Sequence, residues 1–373
     1  MGGRRPPTIR AILGPMARTA PRRKERNSRT PRPADRLAKL NTVLDGARTL
    51  LVVMQNNPDP DAIAAAAGLR EIANELHGIS CSLAHGGAIG RAENIALVKY
   101  LGLNPRSLND LDLDRFERMA MVDAQPGAGN VSLDPGRPLD IVIDHHPIRR
   151  ETRSARFTDV RSRYGATSTI VYQYLEAAGL EIEVPLATAL VYGIRSDTQD
   201  LGRESTRADV EAFLALYPHA NPRVLGRIVA APLPREYFGQ LRTVIDNATI
   251  HGEAIVSHLG SLPSPEMIAE SADLLLRVEG IAWSLCSGVV DGWLHLSLRT
   301  SRRELHAGAV ARRLAGRRGH GGGHQALAAA QIPLRNGERE GSPALGRLLE
   351  TLVTRFLRAT GNGTAPAEPL CSR

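Results

Sequence analysis

Three short apolar runs in this chain each end directly in a polar signature built on carboxylates. Thr49–Met54 runs into QNNPDPDA, Met119–Val122 into DAQPG, and Leu139–Ile143 into DHHP. A compact apolar run bounded by turn residues reads as a buried strand. Between and after these runs, residues 62–76, 92–101, 167–178 and 185–196 carry apolar residues at helical spacing. Ile79–Ala84 alternates as a further strand. Strands alternating with helices predict an α/β fold with a doubly wound, mainly parallel sheet. Such sheets bind ligands outside the carboxyl ends of their strands. That edge is where Asp59, Asp61, Asp123 and the Asp144-His145-His146 triplet fall.

The chain has 373 residues and 42% apolar content, enough for two ordinary domains with real cores. Aromatic residues are only 4%, which argues against an extended stacking surface for long single strands. No apolar run approaches the length of a membrane span, so the sequence predicts a soluble, cytoplasmic protein with no membrane partner. Three scattered cysteines fit a reducing compartment and provide no thiolate metal site. The net charge of +8 is uneven: residues 1–36 hold eleven Lys or Arg against two acids. The sequence therefore divides into a basic tail (1–36), read as disordered, and a metal-binding domain (37–232). A connector helix (233–249) leads to a second, smaller α/β domain (250–358), and a loose C-terminal tail (359–373) follows.

Each signature has a structural reading beside its chemical one. Asp61 suits an N-cap and Asp59 a turn between Pro58 and Pro60. Asp123 is an ordinary strand-ending acid when taken singly. Asp197 lies at a helix C-terminus, where the dipole disfavours a carboxylate unless a cation compensates it. Adjacent histidines behind an acid are harder to explain structurally. In Asp144-His145-His146 one imidazole suits a metal and the other a substrate, with an acid to fix a tautomer. Acids brought together at one sheet edge repel one another, and divalent cations relieve that conflict. Further along, GHGGGH (Gly319–His324) reads as a glycine loop ahead of a helix over 325–331, offering backbone N–H groups to an anion. Arg299 in SLRTS has the geometry for a forked phosphate contact.

These signatures, in this order and closed by SLRTS and GHGGGH, resemble the DHH phosphoesterase family with its DHHA1 C-terminal domain. Within that family, the bacterial oligoribonuclease (nano-RNase) and adenosine 3′,5′-bisphosphate phosphatase group resembles the chain best. The resemblance spans roughly residues 40–335 and implies an active-site cleft between the domains with two manganese ions, magnesium being the alternative. It implies that Asp59 binds the first ion, that Asp123 bridges both, and that Asp61, His145 and Asp197 bind the second. It puts His146 beside the scissile phosphate as a catalytic group, with Asp144 supporting from behind. Arg299, His320, Gly321, Gly322, Gly323 and His324 would hold the substrate's far end. The chain departs from the family pattern at Gln55, where a histidine ligand of the first ion is usual, and at Gln199, where glycine is common.

The expected reaction is hydrolysis of short oligonucleotides or nucleoside 3′,5′-bisphosphate by a metal-activated water, in a monomer or homodimer. Two alternatives follow: a cyclic di-adenylate phosphodiesterase or exopolyphosphatase using the same site, or a nucleotide- or RNA-binding protein whose catalysis Gln55 has impaired.

Overall fold

A computed structural model describes residues 32–302, 306–323 and 325–371. The first sheet consists of β1 (Thr49–Val53), β2 (Ser80–His85), β3 (Arg106–Ser107), β4 (Arg118–Val122), β5 (Ile141–Asp144) and β6 (Phe157–Val160). Its order is β3-β2-β1-β4-β5-β6 and every pairing is parallel. The order reverses between β1 and β4, which opens a crevice beyond their carboxyl ends. The helices of this part are α1 (Pro33–Leu44), α2 (Pro60–His77), α3 (Ala92–Tyr100), α4 (Thr167–Ala178), α5 (Val184–Asp197), α6 (Arg207–Leu216) and α7 (Pro222–Val229).

The strands are apolar on both faces, as a covered parallel sheet requires. Leu50, Val52, Ala120, Val122, Ile141 and Ile143 point into the core formed with α1, α2, α4 and α5. The alternate residues Leu51, Val53, Met119, Met121 and Val142 pack on Leu108, Leu133 and Leu139 from the segment 108–139. Helix α2 is buried along most of its length, and its alanines and Gly68 let neighbours approach closely. A Cβ at Gly68 would stand 2.5 Å from Val171 on α4, and one at Gly193 on α5 would stand 2.4 Å from the Ser168 hydroxyl and 3.1 Å from the Asp61 Cα. These small residues draw the start of α2, the start of α4 and the end of α5 to one point. At the sheet's far edge, Asp159 is fully buried and accepts from Arg36, Arg161 and the Tyr174 hydroxyl.

Helix α8 (Arg235–Asp246) leads into the second sheet: β7 (Thr249–His251), β8 (Ala254–Ser261), β9 (Trp283–Val290), β10 (Trp293–Thr300), β11 (His320–Gly323), β12 (Leu327–Pro333) and β13 (Glu368–Pro369). Its order is β11-β12-β10-β9-β8-β7-β13, antiparallel except for β8 with β9. It carries α9 (Glu266–Leu275), α10 (Ala307–Ala315) and α11 (Pro343–Ala359).

Four expectations need correction. The first helix begins at Pro33, ahead of the expected boundary at 37, while the rest of the basic tail lies outside the described residues. The C-terminal segment is not loose: β13 pairs with β7, and the Leu370 amide donates to the Ala248 carbonyl. GHGGG is a strand, not a loop, and residues 327–333 form its partner strand rather than a helix. Burial there follows a period of two, with Ala328 and Ala330 inward, so the alanines serve sheet packing and not helix formation. Gly321 of β11 lets α10 approach, since a Cβ there would lie 2.6 Å from the Ala311 carbonyl oxygen, and Gly323 lets β12 approach, since a Cβ there would lie 2.3 Å from the Leu327 carbonyl oxygen. Finally, the N-cap of α2 is Asp59, which accepts from the Ala62 amide; Asp61 is inside the helix.

Candidate active site

Asp61, Asp123, His145 and Asp197 each offer a ligand atom, and these four atoms lie within 4.8 Å of one another. Their convergence comes from elements far apart in the chain: the first turn of α2, the end of β4, the end of β5 and the last residue of α5.

The Asp61 carboxylate is fully buried and is fixed from behind by α4. Helix α4 has no side-chain N-cap of its own. The orphan amides of Thr167 and Ser168 donate instead to Asp61 Oδ2 and Oδ1, at 2.6 and 2.8 Å. Asp123 adopts φ 54, a left-handed conformation uncommon for a residue with a Cβ. Thr167 Oγ1 donates to Asp123 Oδ1 at 2.9 Å, while Asp123 Oδ2 is buried without a hydrogen-bond partner. A strained backbone and an orphaned carboxylate oxygen at one residue are hard to sustain for packing alone. His145 Nδ1 faces the Tyr164 carbonyl at 3.1 Å. With the proton on that nitrogen, Nε2 is directed at Asp197 Oδ2 (3.1 Å) and Asp123 Oδ1 (3.5 Å). The donor set of three carboxylates and one imidazole suits a divalent cation such as manganese or magnesium.

The electrostatics fit the same requirement. Burial, then the charge of Asp197, pushes the Asp61 carboxyl up to about 7. The same two causes push Asp59 up to about 6. Burial and the fields of Asp59, Asp61 and Asp197 hold Asp123 well above the usual carboxylate range. For His145 burial opposes the charge, but contact with Asp197 and the nearby acids outweighs it and lifts the imidazole to about 10. Without a metal, then, the cluster holds protons that a cation can replace.

Asp144 is fully buried and accepts from His146 Nδ1 and the His145 amide, both at 2.8 Å, and from Gln125 Nε2 at 2.5 Å. Burial alone would raise the Asp144 carboxyl, but the His146 bond, the two imidazole charges and the Gln125 bond together outweigh it and hold the group below the ordinary range. His146 is thereby turned with Nε2 away from Asp144, and it lines the cleft. Gln55 Nε2 donates to Asp59 Oδ2 at 2.8 Å, and its Oε1 accepts from Asn130 at 3.0 Å. Asp59 stands beside the four-residue cluster without belonging to it. Gln199 has φ 46, followed by Asp200 and Leu201, also left-handed, which explains why a glycine would be easy at that position.

The cleft is a cavity of about 470 Å³ lined from both domains. The second domain contributes Asp273, His295, Ser297 and Arg299. Arg299 is buried and already forked onto Asp273, with Nε–Oδ1 at 2.6 Å and Nη2–Oδ2 at 3.2 Å. His320, Gly321, Gly322 and Gly323 are not among the residues lining the cavity, and His324 lies outside the described residues. Sequence reasoning missed Arg91, Asn94 and Arg203, which line the cleft, and the two α4 amides. Asn94 Oδ1 is buried with no partner. Burial lowers the Arg203 guanidinium below its usual value despite nearby acids. The α4 amides had one legible signal: a Thr-Ser-Thr run opening a helix without an acid of its own.

The description "DHH family, N-terminal domain" matches residues 49–194, and "DHHA1 domain" matches residues 251–354. An uncharacterized protein of Methanocaldococcus jannaschii is 35% identical over 286 residues, covering 76% of this chain and 58% of that protein. A probable manganese-dependent inorganic pyrophosphatase of Streptococcus agalactiae is 26% identical over 163 residues, 43% of this chain and 51% of its own. The chain thus spans little more than half the length of these relatives. Among solved structures, an exopolyphosphatase-related protein from Bacteroides fragilis superposes with a TM-score of 0.67 at 15% identity, covering 87% of this chain and 97% of its own. That likeness concerns the fold.

Proposed function

Because the chain belongs to the DHH family and carries its DHHA1 domain, we propose that it is a metal-dependent phosphoesterase. The observation that carries this reading is the meeting of Asp61, Asp123, His145 and Asp197 at ligand spacing, beside a cleft that His145, Asp197 and Arg299 line. When bound, a divalent ion supplies Lewis acidity that makes water a nucleophile near neutral pH. The protein's own part is positioning. Asp61 is held by the α4 amides, Asp123 by Thr167, and His145 by the Tyr164 carbonyl. His146, oriented through Nδ1 by Asp144, presents Nε2 to the cleft for proton exchange with the leaving oxygen. Arg203 supplies a cationic donor for the phosphate, while Arg299, whose Nε and Nη2 serve Asp273 and whose Nη1 serves Ser297 and the Leu298 carbonyl, shapes the wall of the cleft.

Substrates of this site are short. A cavity of about 470 Å³ admits a nucleotide-sized group. Short oligonucleotides and nucleoside 3′,5′-bisphosphates are the first candidates. One observation favours a second reading. Among the described lining residues there is no Phe, Tyr or Trp, so a base would find only imidazole or guanidinium faces to stack on. Phosphate-only substrates, pyrophosphate or polyphosphate, need none. The names of the pyrophosphatase and exopolyphosphatase-related relatives support the same reading. The test is a turnover panel in manganese or magnesium with an RNA dimer to decamer, adenosine 3′,5′-bisphosphate, cyclic di-adenylate, pyrophosphate and polyphosphate, with Asp123→Ala as blank. Turnover of at least one substrate that the variant loses supports the reading. Equal turnover by the variant removes the cluster from the mechanism.

A further inference from the structure

The three acids nearest α2 do not share one environment. Asp61 and Asp123 belong to the four-residue group at ligand spacing, and Asp59 does not. Instead, Asp59 Oδ1 caps α2 through the Ala62 amide at 3.0 Å, and Oδ2 accepts from Gln55 Nε2 at 2.8 Å. The orientation of that amide is dictated by its partner, since only the NH₂ end can face a carboxylate without two oxygens in conflict. The oxygen end is used as well, accepting from Asn130 Nδ2. A neutral amide thus does for Asp59 what a cation does for the other acids: it supplies a donor against the negative charge.

The other route to a second ion is weaker still. Asp123, His145 and His146 also lie at ligand spacing. Yet the His146 nitrogen nearest Asp123, Nδ1 at 3.9 Å, is already engaged with Asp144 at 2.8 Å. Both this triad and the four-residue set need His145, whose Nδ1 faces the Tyr164 carbonyl and whose Nε2 can serve one ion only, so the two sets compete for that ion.

We infer that this chain holds a single divalent ion, in the Asp61–Asp123–His145–Asp197 set, and that the Asn130–Gln55–Asp59 hydrogen-bond chain stands where a second ion would be needed. This rests on the metal-dependent reading above and narrows it to a one-ion centre. Asp59 is a positioning residue here, setting the first turn of α2 that carries Asp61.

Metal counting tests this directly. The full-length protein is stripped with EDTA, loaded with manganese, gel-filtered and analysed by elemental mass spectrometry. Isothermal titrations with manganese chloride and with magnesium chloride, and the electron paramagnetic resonance spectrum of the manganese form, complete the set. The expected result is one ion per chain with either metal and the signal of an isolated manganese. Asp59→Asn, which keeps a capping side chain, is expected to retain that one ion with affinity within about threefold. Gln55→His is expected to add a second equivalent and exchange-coupled resonance features. Two ions in the wild type, or loss of the ion in Asp59→Asn, overturns the inference while leaving the metal-dependent reading intact. No ion in the wild type removes that reading as well.

Discussion

Metal-free protein should lose stability as pH rises, against the usual behaviour of a protein whose acids are paired. The cause is the cluster's burial. Asp61 has its carboxyl moved from 3.8 to about 7 by burial and by the charge of Asp197. A folded-state value above the unfolded one means that the contribution is favourable below pH 3.8 and is lost as pH climbs through about 7. Over pH 5 to 8, Asp61 alone accounts for roughly 2–3 kcal/mol of that loss, taking about 1.4 kcal/mol per pH unit. Asp59, lifted to about 6, acts in the same direction. So does His145, lifted to about 10, whose contribution is full below pH 6.5 and declines above it. For a domain of this size, a 2–3 kcal/mol change moves Tm by roughly 5–10 °C. The assay is thermal unfolding of EDTA-treated protein at pH 5, 6.5 and 8, with and without manganese. Tm is expected to fall across that range without metal and to hold or rise with it, because deprotonated ligands bind. Asp197→Asn removes the charge that, after burial, raises both Asp59 and Asp61, so its metal-free slope should be shallower than that of the wild type. A metal-free Tm that is flat or rises from pH 5 to 8 would refute the argument.

Other expectations concern packing and the cleft. Asp159→Ala leaves Arg36 and Arg161 without their buried acid and should cost about 3–5 kcal/mol, read as a lower denaturant midpoint for the first domain. Gly321→Ala forces a Cβ against the Ala311 carbonyl and should destabilise the second domain by about 1–3 kcal/mol. Hydrogen exchange should then rise in β11, β12 and α10 while β1, β4 and β5 keep their protection. Arg203→Ala should raise KM for the anionic substrate about 10–100-fold with kcat within a few-fold, as expected for a lost charged hydrogen bond of about 1.5–3 kcal/mol; an unchanged KM would exclude contact with substrate.

The parallel sheet was legible because its strands are apolar on both faces and end in abrupt polar stops, a pattern no surface strand or helix shares. The polar stops pointed to Asp59, Asp61, Asp123 and His145, and the end of α5 to Asp197; of these five, all but Asp59 meet at ligand spacing. What stayed hidden depended on partners distant in sequence. Nothing near Gln55 reveals that Asn130 orients its amide, and nothing near Asp61 shows that it caps α4. The glycine strand was misread for a physical reason. Glycine permits both a loop around an anion and a close helix–strand approach, and only the carbonyl of Ala311 on α10 decides between them. Alanines over 327–333 carry the same ambiguity between helix and strand, resolved here by alternating burial.

The Gly90 amide donates to Glu266 on α9 at 2.8 Å, and Arg91 reaches Glu270 on the same helix at 3.4 Å. Both contacts tie the rim of the first domain to the second, beside residues that line the cleft. Any Cβ at Gly90 would meet the Glu266 carboxylate at 1.9 Å. The two walls of the cleft are therefore clasped by polar contacts, and no hydrophobic cluster among the described residues spans both domains. Such a clasp can open and re-form without disturbing either core.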